Sequence, residues 1–277
     1  MNFSGVYEMQ GLKTALEKKV DSVVAENMAA KPVITQLDCQ DIPGTNCYCD
    51  SLAEEEIGKR IIPFGPEGLH FLDSGNYHYL TKLWLELVKE PFELLVFDHH
   101  TDMQRPAFGG ILSCGSWIRE ALETNENLKH VILVGPPQPA MEETKKELAE
   151  DGEELLGKVI WISEEEFLRN VEKPDWIQKL CGQCNVTGTE ADEKELLPLY
   201  ISIDKDVLPE SEGKTNWDQG SVVLEQVLHF IDVYMQQTPG RQLIGMDICG
   251  EDPESDNEEV QTVCRKTSEK ICGFFLC

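Results

Sequence analysis

Short apolar runs alternate along the chain with longer stretches of helical pattern, and this alternation constrains the fold more than any other feature. Most apolar runs are continuous in Leu, Val, Ile and Phe, which is typical of strands buried on both faces. The candidate strands are Val33–Leu37, His70–Asp73, Leu94–Asp98, Val131–Gly135, Val159–Ile162, Leu199–Asp204, Gln242–Asp247 and Gly273–Leu276, with Ile61–Phe64 as a further candidate. The candidate helices are Gly11–Met28, Tyr77–Lys89, Ser116–Thr124, Glu142–Ala149, Glu164–Val171, Ser221–Met235 and Glu258–Ile271. This order predicts an α/β fold with a mostly parallel sheet and helices on both of its faces.

The length of the chain, 277 residues, is sufficient for one sizeable α/β core. No stretch rich in Pro, Gly and Ser divides it, so we expect a single domain over residues 1–277. No apolar stretch approaches the roughly 20 residues that a membrane helix needs, and the first residues lack the apolar core of a secretory signal. We therefore expect a cytoplasmic protein without a membrane partner.

The charge balance excludes another class of partner. Acidic residues outnumber basic ones by 51 to 24, which gives a formal net charge of −27. A field of that sign repels the phosphate backbone of nucleic acids, so we expect a small-molecule substrate instead. The ten cysteines are expected to be free thiols in a reducing compartment. Cys181 and Cys184 form a Cys-x-x-Cys pair without the second pair that a structural zinc site commonly has, and their role stays open.

One apolar strand runs directly into a cluster of acidic residues and histidines. The run Leu94–Asp98 continues as Asp98-His-His-Thr-Asp102. Side chains alternate between the two faces of an extended backbone, so Asp98, His100 and Asp102 are expected on the same side. Two carboxylates and an imidazole would therefore converge at the end of this strand.

A second strand ends in the same way. The run Leu199–Asp204 is followed by Asp206, and the two carboxylates at i and i+2 share one face, with Lys205 pointing away from them. A third short strand passes through a glycine turn that places His78 near the start of a helix. In open α/β sheets, ligands bind beyond the carboxyl ends of the strands, which is where all of these side chains are expected.

Clustered carboxylates repel one another unless a cation lies between them. Oxygen and nitrogen ligands without thiolate suit Mn²⁺, with Zn²⁺, Fe²⁺ or Co²⁺ as alternatives, and six such ligands can hold two ions about 3.5 Å apart. Each motif alone is more often a loop or helix-capping element, so the prediction depends on their combination. The predicted metal ligands are His78, Asp98, His100, Asp102, Asp204 and Asp206.

Together these motifs resemble those of the arginase/ureohydrolase superfamily, which includes arginases, agmatinases and formiminoglutamases. The corresponding segments are Gly75-Asn-Tyr-His78, Asp98-His-His-Thr-Asp102 and Ser202-Ile-Asp204-Lys-Asp206. The resemblance implies a three-layer α/β/α sandwich around a mostly parallel sheet of about eight strands, which agrees with the number of apolar runs. It also implies a homo-oligomer, either a trimer or a hexamer.

The same resemblance implies two Mn²⁺ ions per chain. The first ion would be bound by His78, Asp98, Asp102 and Asp204, and the second by Asp98, His100, Asp204 and Asp206. Asp98 and Asp204 would then bridge the two ions. Asp102 would also be catalytic, because it would hydrogen-bond to the hydroxide that bridges the metals and orient it.

Three positions depart from the family pattern. Cys114 stands where members often carry a His that moves protons, Gly250 stands where arginases and agmatinases carry the Glu that binds a guanidinium, and Tyr77 replaces an Asp. We therefore expect a substrate other than arginine. Cys114 could act as a weak catalytic acid or base, or simply leave space. Glu251 or Asp252 could replace the missing substrate-binding carboxylate, although the direction of the side chain would differ.

Two further residues are candidate contacts for the substrate. Trp217 could form an aromatic wall of the pocket, or it could belong to a loop that only leads into the next helix. Arg105 could bind a carboxylate of the substrate, or it could pair with one of many surface acids. The sequence does not separate these interpretations.

The sequence thus predicts a binuclear metal hydrolase that cleaves a C–N bond in a linear amidine or guanidine-type substrate, with a metal-bridging hydroxide as the nucleophile. One alternative is a degenerate relative that binds metal without catalysis, as the residues at positions 114 and 250 suggest. The triplet Asp98-His-His100 also occurs in DHH-type phosphoesterases. That family's other motifs are missing from the sequence, and it would leave Asp204 and Asp206 unexplained.

Overall fold

Parallel strands form the centre of the protein. In the computed structural model, which describes residues 1–27, 32–106, 109–152, 154–184 and 196–276, six strands build a central sheet and two build a small antiparallel pair. The strands are β1 (Tyr48–Cys49), β2 (Gly68–Phe71), β3 (Phe92–Phe97), β4 (Leu112–Ser113), β5 (Leu128–Val134), β6 (Val159–Ile162), β7 (Leu199–Asp204) and β8 (Leu243–Cys249). The central sheet has the order β2-β8-β7-β3-β5-β6, and each neighbouring pair is parallel. β1 pairs with β4.

The helices of the described residues are α1 (Val6–Gln10), α2 (Leu12–Asn27), α3 (Ser51–Ile61), α4 (Leu80–Leu85), α5 (Trp117–Thr124), α6 (Gln138–Asp151), α7 (Glu164–Asn170), α8 (Pro174–Cys184), α9 (Leu224–Gln237) and α10 (Glu258–Leu276). The predicted helix Gly11–Met28 corresponds to α2, and Met28 itself lies outside the described residues. Helix α7 begins where the Ser163 side chain accepts a hydrogen bond from the amide of Glu166. None of these helices is both long enough and apolar enough to cross a membrane.

Side chains from the two faces of the central sheet pack into separate cores. In β3, Leu94 and Val96 belong to one core, whereas Leu95 and Phe97 belong to the other. Side chains of α3, α4 and α5 complete the first core, and side chains of α7, α8 and α9 complete the second. The strand is therefore buried on both faces, and the predicted α/β/α sandwich is confirmed.

The central sheet has six strands within the described residues instead of about eight. Gly273–Leu276 is the last turn of α10, because Phe274 and Phe275 continue the helix and pack against the second core. Val33–Leu37 runs without regular structure, and the Val33 side chain is 90% exposed. Ile61–Phe64 ends α3 and forms a 3-10 turn. These three strand predictions were wrong. An apolar run this short does not distinguish the repeat of a helix from that of a strand.

The thiols described in the structure are free, as expected. Cys181 is buried within α8 and has no disulfide partner among the described residues. The side chain of Cys184 lies outside the described part of the structure.

Candidate metal centre

The carboxyl ends of four neighbouring strands meet at one edge of the central sheet. β2 leads into a 3-10 turn that ends at His78, and β3 is followed directly by Asp98. β7 ends at Asp204 and β8 at Cys249, and the register places these two residues side by side. The parallel arrangement thus brings four distant parts of the sequence to one place.

The imidazole of His78 lies at the centre of a first group of side chains. Its Nδ1 atom is 3.1 Å from Asp98 Oδ2, 3.2 Å from Asp102 Oδ2 and 3.5 Å from Asp204 Oδ2. All four side chains are buried. The ligand atoms of His78, Asp98 and Asp102 all lie within 4.8 Å of one another, and one nitrogen with carboxylate oxygens is a donor set that divalent transition-metal ions accept.

The imidazole of His100 lies in a second group. Its Nδ1 atom is 2.8 Å from Asp206 Oδ2 and 3.6 Å from Asp98 Oδ1. Asp98 therefore contributes one oxygen to each group. The His100 side chain is 33% exposed, so this end of the cluster faces solvent. The structure brings together all six residues that the sequence predicted as metal ligands.

In each of three carboxylates, one oxygen accepts a hydrogen bond from a backbone amide near the strand ends. His100 N donates to Asp98 Oδ1 at 2.6 Å, Asp206 N donates to Asp204 Oδ1 at 2.9 Å, and His99 N donates to Asp206 Oδ1 at 2.9 Å. The other oxygens of Asp98 and Asp204 turn towards the imidazole of the first group. The loops that carry the carboxylates therefore also orient them.

A chain of hydrogen bonds behind His78 fixes the tautomer of its ring. The Ser202 hydroxyl donates to Asp247 Oδ1 at 2.6 Å, so it accepts a hydrogen bond from His78 Nε2 at 2.9 Å. In the neutral ring Nδ1 is then the unprotonated nitrogen, with its lone pair directed at the carboxylates. Burial favours this neutral form, but the charge of Cys249 and the hydrogen bonds of Asp102 and Asp98 outweigh it and raise the pKa of His78 well above its ordinary value. Among the described residues, His78 Nδ1 and Asp98 Oδ2 have no hydrogen-bond partner although both are buried. Metal-binding histidines have this arrangement, with the second nitrogen held from behind.

Burial and mutual repulsion change the acidity of the cluster. Burial, with the charge of Asp98 as a further cause, raises the pKa of Asp102 to about 7. Burial also raises the pKa of Asp206 well above its ordinary value. Burial acts in the same direction on Asp98, but hydrogen bonds with His100 and His78 hold its pKa below the ordinary value. A divalent cation relieves such crowding, and the residues present therefore fit one.

The backbone of Asp102 adopts a left-handed conformation, with φ of 47°. Its Oδ2 atom accepts a hydrogen bond from Trp117 Nε1 at 2.7 Å, and its carbonyl oxygen accepts one from Ile118 N at 3.1 Å. A non-glycine residue in this region costs free energy and persists only where its surroundings hold it. The fold therefore holds Asp102 in position against its local backbone preference.

One member of the cluster was missed by the sequence analysis. The Cys249 thiol is fully buried and donates to Asp204 Oδ2 at 3.0 Å. Ligand atoms of His78, Asp204 and Cys249 all lie within 4.8 Å of one another. The sequence did carry a signal for Cys249. It follows Asp247 by two residues in β8, so the two side chains share one face of the strand.

Trp217 lies beside the exposed end of the cluster. Its ring is 5.5 Å from the His100 ring, and its Nε1 donates to Asn76 Oδ1 at 2.8 Å. A Cβ atom on Gly75 would lie 2.9 Å from Trp217 Cδ1 and 3.0 Å from Asp204 Oδ2. Glycine at this position therefore allows the indole to approach the carboxylates.

The structure contradicts the prediction that Glu251 binds the substrate. Its carboxylate is 1% exposed and forms an ion pair with the buried Lys205 Nζ. It also accepts a hydrogen bond from Gln10 Nε2 at 2.7 Å. Lys205 lies in the 3-10 turn that follows β7, and its ammonium group pairs with Glu251. Glu251 therefore neutralises a buried lysine and is not free to bind a substrate.

The other two substrate and catalytic predictions are not supported either. Arg105 lies at the surface, and its Nε donates to Asp151 Oδ2 at 2.8 Å. This is the surface ion pair that the sequence offered as the alternative to substrate binding. Burial, with the charge of Asp102 as a further cause, raises the pKa of the Cys114 thiol well above its ordinary value. Cys114 thus stays protonated near neutral pH, which favours its role as a small residue over that of an acid or base.

Gly250 leaves no room for any side chain. Its φ is 91°, and a Cβ atom would lie 2.4 Å from Asp204 Oδ1 and 2.7 Å from Lys205 N. We expect Gly250→Ala to displace Asp204 and lower the affinity for divalent cations by at least about tenfold, the scale found when the support of a metal ligand is lost. Titration calorimetry with Mn²⁺ measures this change.

Gly240 provides the control for backbone strain. Its φ is 87°, but a Cβ atom there would meet nothing within 4 Å. Gly240→Ala should therefore cost about 1–2 kcal/mol of stability and leave the metal affinity unchanged. Equal losses of affinity in both variants would show that strain, and not contact with Asp204, is the cause.

No protein-family model matches the chain. An uncharacterized protein of Thermotoga maritima is 35% identical to it over 184 residues, which cover 66% of this chain and 58% of that protein. The chain thus matches less than two thirds of the length of this curated relative.

Several solved structures are similar to the chain. Formimidoylglutamase from Bacillus subtilis has a TM-score of 0.59 at 18% identity, over 95% of this chain and 81% of that chain. Agmatine ureohydrolase of Thermoplasma volcanium has a TM-score of 0.57 at 16% identity, over 94% and 83%. A triple mutant of the T. brucei arginase-like protein, bound with Mn²⁺, has a TM-score of 0.56 at 18% identity, over 87% and 70%. The chain therefore has the fold of these enzymes, as the motifs led us to expect.

Proposed function

We propose that this chain, which has the fold of the arginase/ureohydrolase superfamily, is a hydrolase that uses two divalent cations, Mn²⁺ first among them, to cleave a C–N bond in a linear amidine or guanidine-type small molecule. The observation that carries the proposal is the convergence of six carboxylate and imidazole side chains, with His78 Nδ1 and Asp98 Oδ2 buried and unpartnered among the described residues. Similar structures named formimidoylglutamase and agmatine ureohydrolase support the reaction class, and one bound with Mn²⁺ supports the metal.

Two bound cations would lower the pKa of a water and polarise the C–N carbon that it attacks. The residues of the chain supply the rest. Asp102 is held through Oδ2 by Trp117, which leaves Oδ1 to accept the proton of the attacking water. Trp217 offers its ring as a wall beside His100, at the end of the cluster that solvent reaches. The substrate would therefore enter from the side of the indole.

The site lacks space for a carboxylate that would bind a guanidinium, and this bears on the class of substrate. Gly250 has no space for the carboxylate that would bind a guanidinium, and Glu251 is engaged with Lys205. A guanidinium without a carboxylate partner loses several kcal/mol of binding free energy. We therefore expect amidino and formimino compounds to be better substrates than arginine.

A substrate screen tests the proposal. Purified protein is loaded with Mn²⁺, the ions per chain are counted, and guanidino, amidino and formimino compounds are assayed for release of urea, ammonia or amine. We expect two ions per chain and turnover that Asp98→Ala lowers by more than about 100-fold, since even supporting residues of metal sites change affinity by 10–100-fold.

Three outcomes would contradict the proposal. Less than one bound ion per chain would exclude a binuclear site. Full loading without turnover of any compound would favour a protein that binds metal without catalysis. Hydrolysis of a phosphodiester would favour the DHH-type alternative.

A further inference from the structure

We propose that Cys249 is a further metal ligand of this cluster and that the position formed by His78, Asp204 and Cys249 selects a thiophilic ion, Zn²⁺ or Co²⁺, over Mn²⁺. The proposal rests on the proposed function in one respect, because both require divalent cations in this cluster. It narrows the metal at one of the two positions: Mn²⁺ would fill this position when supplied in excess, but Zn²⁺ or Co²⁺ would bind there more tightly. It goes beyond that function, since it assigns a thiolate to a site otherwise built from oxygen and nitrogen donors.

The fold directs Cys249 into the cluster. β8 lies between β2 and β7, and Cys249 is paired with Asp204 at the end of both strands. Asp247, two residues earlier on the same face, already supports His78 through Ser202. The thiol therefore shares its environment with the ring nitrogen and carboxylate that it would join at a cation.

The distances fit a single ion. Tetrahedral ligands of Zn²⁺ at about 2.0–2.3 Å are separated from one another by roughly 3.3–3.7 Å. Cys249 Sγ is 3.0 Å from Asp204 Oδ2, and that oxygen is 3.5 Å from His78 Nδ1. All three atoms lie within 4.8 Å of one another, so the group is compact enough for one ion.

An independent observation points to a ligand at this position. His78 Nδ1 is buried, is directed into the group and has no hydrogen-bond partner among the described residues. The Ser202 hydroxyl holds the opposite ring nitrogen. A lone pair fixed in this way, next to a sulfur and a carboxylate oxygen, forms a three-donor group that is open to a cation.

The chemistry of the step is simple and needs no oxidant. The sulfur–metal bond forms as the S–H bond, which now points at Asp204, breaks and its proton leaves to solvent. Thiolate is a soft ligand that favours Zn²⁺ and Co²⁺ over the harder Mn²⁺, for which carboxylates are better partners. The second position, around His100 and Asp206, has no sulfur donor in its group and should accept Mn²⁺.

Cobalt absorption tests the assignment directly. Co²⁺ bound to a thiolate gives a charge-transfer band in the near ultraviolet, whereas oxygen and nitrogen ligands give only weaker visible bands. We expect the intact protein to show the charge-transfer band on titration with Co²⁺, and Cys249→Ser to lose it while keeping visible bands. Cys249→Ala serves as a second variant if the serine disturbs folding.

Two matched variants locate the sulfur. Cys114 lies near Asp102 but belongs to none of the candidate metal groups in the described residues, and Cys272 is buried between α2 and α10. Cys114→Ser and Cys272→Ser should both keep the charge-transfer band. Competition with a chelator should show Zn²⁺ affinity about 10–100-fold lower in Cys249→Ser, with a much smaller change for Mn²⁺.

The possible failures are distinguishable. Visible bands without a charge-transfer band in the intact protein would show a metal site that excludes Cys249 and would overturn this proposal alone. A band that Cys114→Ser removes would overturn it in favour of the other thiol. No Co²⁺, Zn²⁺ or Mn²⁺ binding at all would overturn both this proposal and the proposed function.

Discussion

Replacing Asp204 with asparagine is expected to remove divalent-cation binding at the position around His78, together with any metal-dependent turnover. Asp204 Oδ2 lies 3.5 Å from His78 Nδ1 and 3.0 Å from Cys249 Sγ, so this oxygen is shared by the first group of donors. The substitution preserves the shape of the side chain but removes the charge. We expect the affinity for Mn²⁺ to fall by more than about 100-fold, because a lost ligand exceeds the 10–100-fold cost of a lost supporting residue. Calorimetry and metal analysis measure the effect.

A surface aspartate supplies the matched control. Asp232 is exposed on α9, where it accepts a hydrogen bond from Gln236. Asp232→Asn makes the same chemical change and should retain both ions. Circular dichroism of each variant checks that the fold is intact. If Asp204→Asn still bound two ions per chain, the assignment of Asp204 to the metal position would be wrong.

Replacing Lys205 with methionine is expected to cost about 3–5 kcal/mol of the free energy of unfolding. Lys205 is fully buried, and its Nζ donates to the Glu251 carboxylate, to Ser268 Oγ at 2.8 Å and to Cys264 O at 3.2 Å. The substitution leaves Glu251 as a buried charge without its cationic partner. Urea unfolding followed by fluorescence measures the change.

The double variant separates an ion pair from simple packing. Lys205→Met with Glu251→Gln removes both charges and keeps an acceptor for the hydrogen bond from Gln10, so it should recover most of the lost stability. Lys59→Met removes an exposed i,i+4 partner of Glu55 and should change stability by less than about 0.5 kcal/mol. A double variant as unstable as Lys205→Met would show that the buried charge is not the cause.

The candidate metal centre could be predicted because its residues obey local rules. Alternation predicted that Asp98, His100 and Asp102 would lie together, and the rule that parallel strands end at one edge added the rest. The three side chains do converge, but β3 ends at Phe97 and Asp102 is left-handed, so the loop after the strand brings them together. Applying these rules requires only the identity of neighbouring residues in the sequence and the class of the fold. The structure places all of the predicted ligands within one cluster.

The errors concern interactions between distant parts of the chain. Glu251 looked like a substitute for the missing carboxylate at position 250, but its partner Lys205 lies 46 residues away and faces the other side of β7. Cys249 was overlooked because cysteines were judged by their spacing to one another, whereas its neighbour His78 is far away in the sequence. The prediction of a strand at Gly273–Leu276 was wrong because the apolar run is too short to show a period.

The placement of the donors at the ends of β2, β3, β7 and β8 has a consequence for the order of assembly. No two of these strands are joined by a tight hairpin, so the cluster exists only after long-range parallel pairing is complete. Folding must therefore bring four acidic side chains together before any ion can compensate their repulsion. A cation held by His78, Asp204 and Cys249 would join the ends of β2, β7 and β8, and would add about 2.7 kcal/mol when its free concentration is 100 times the dissociation constant.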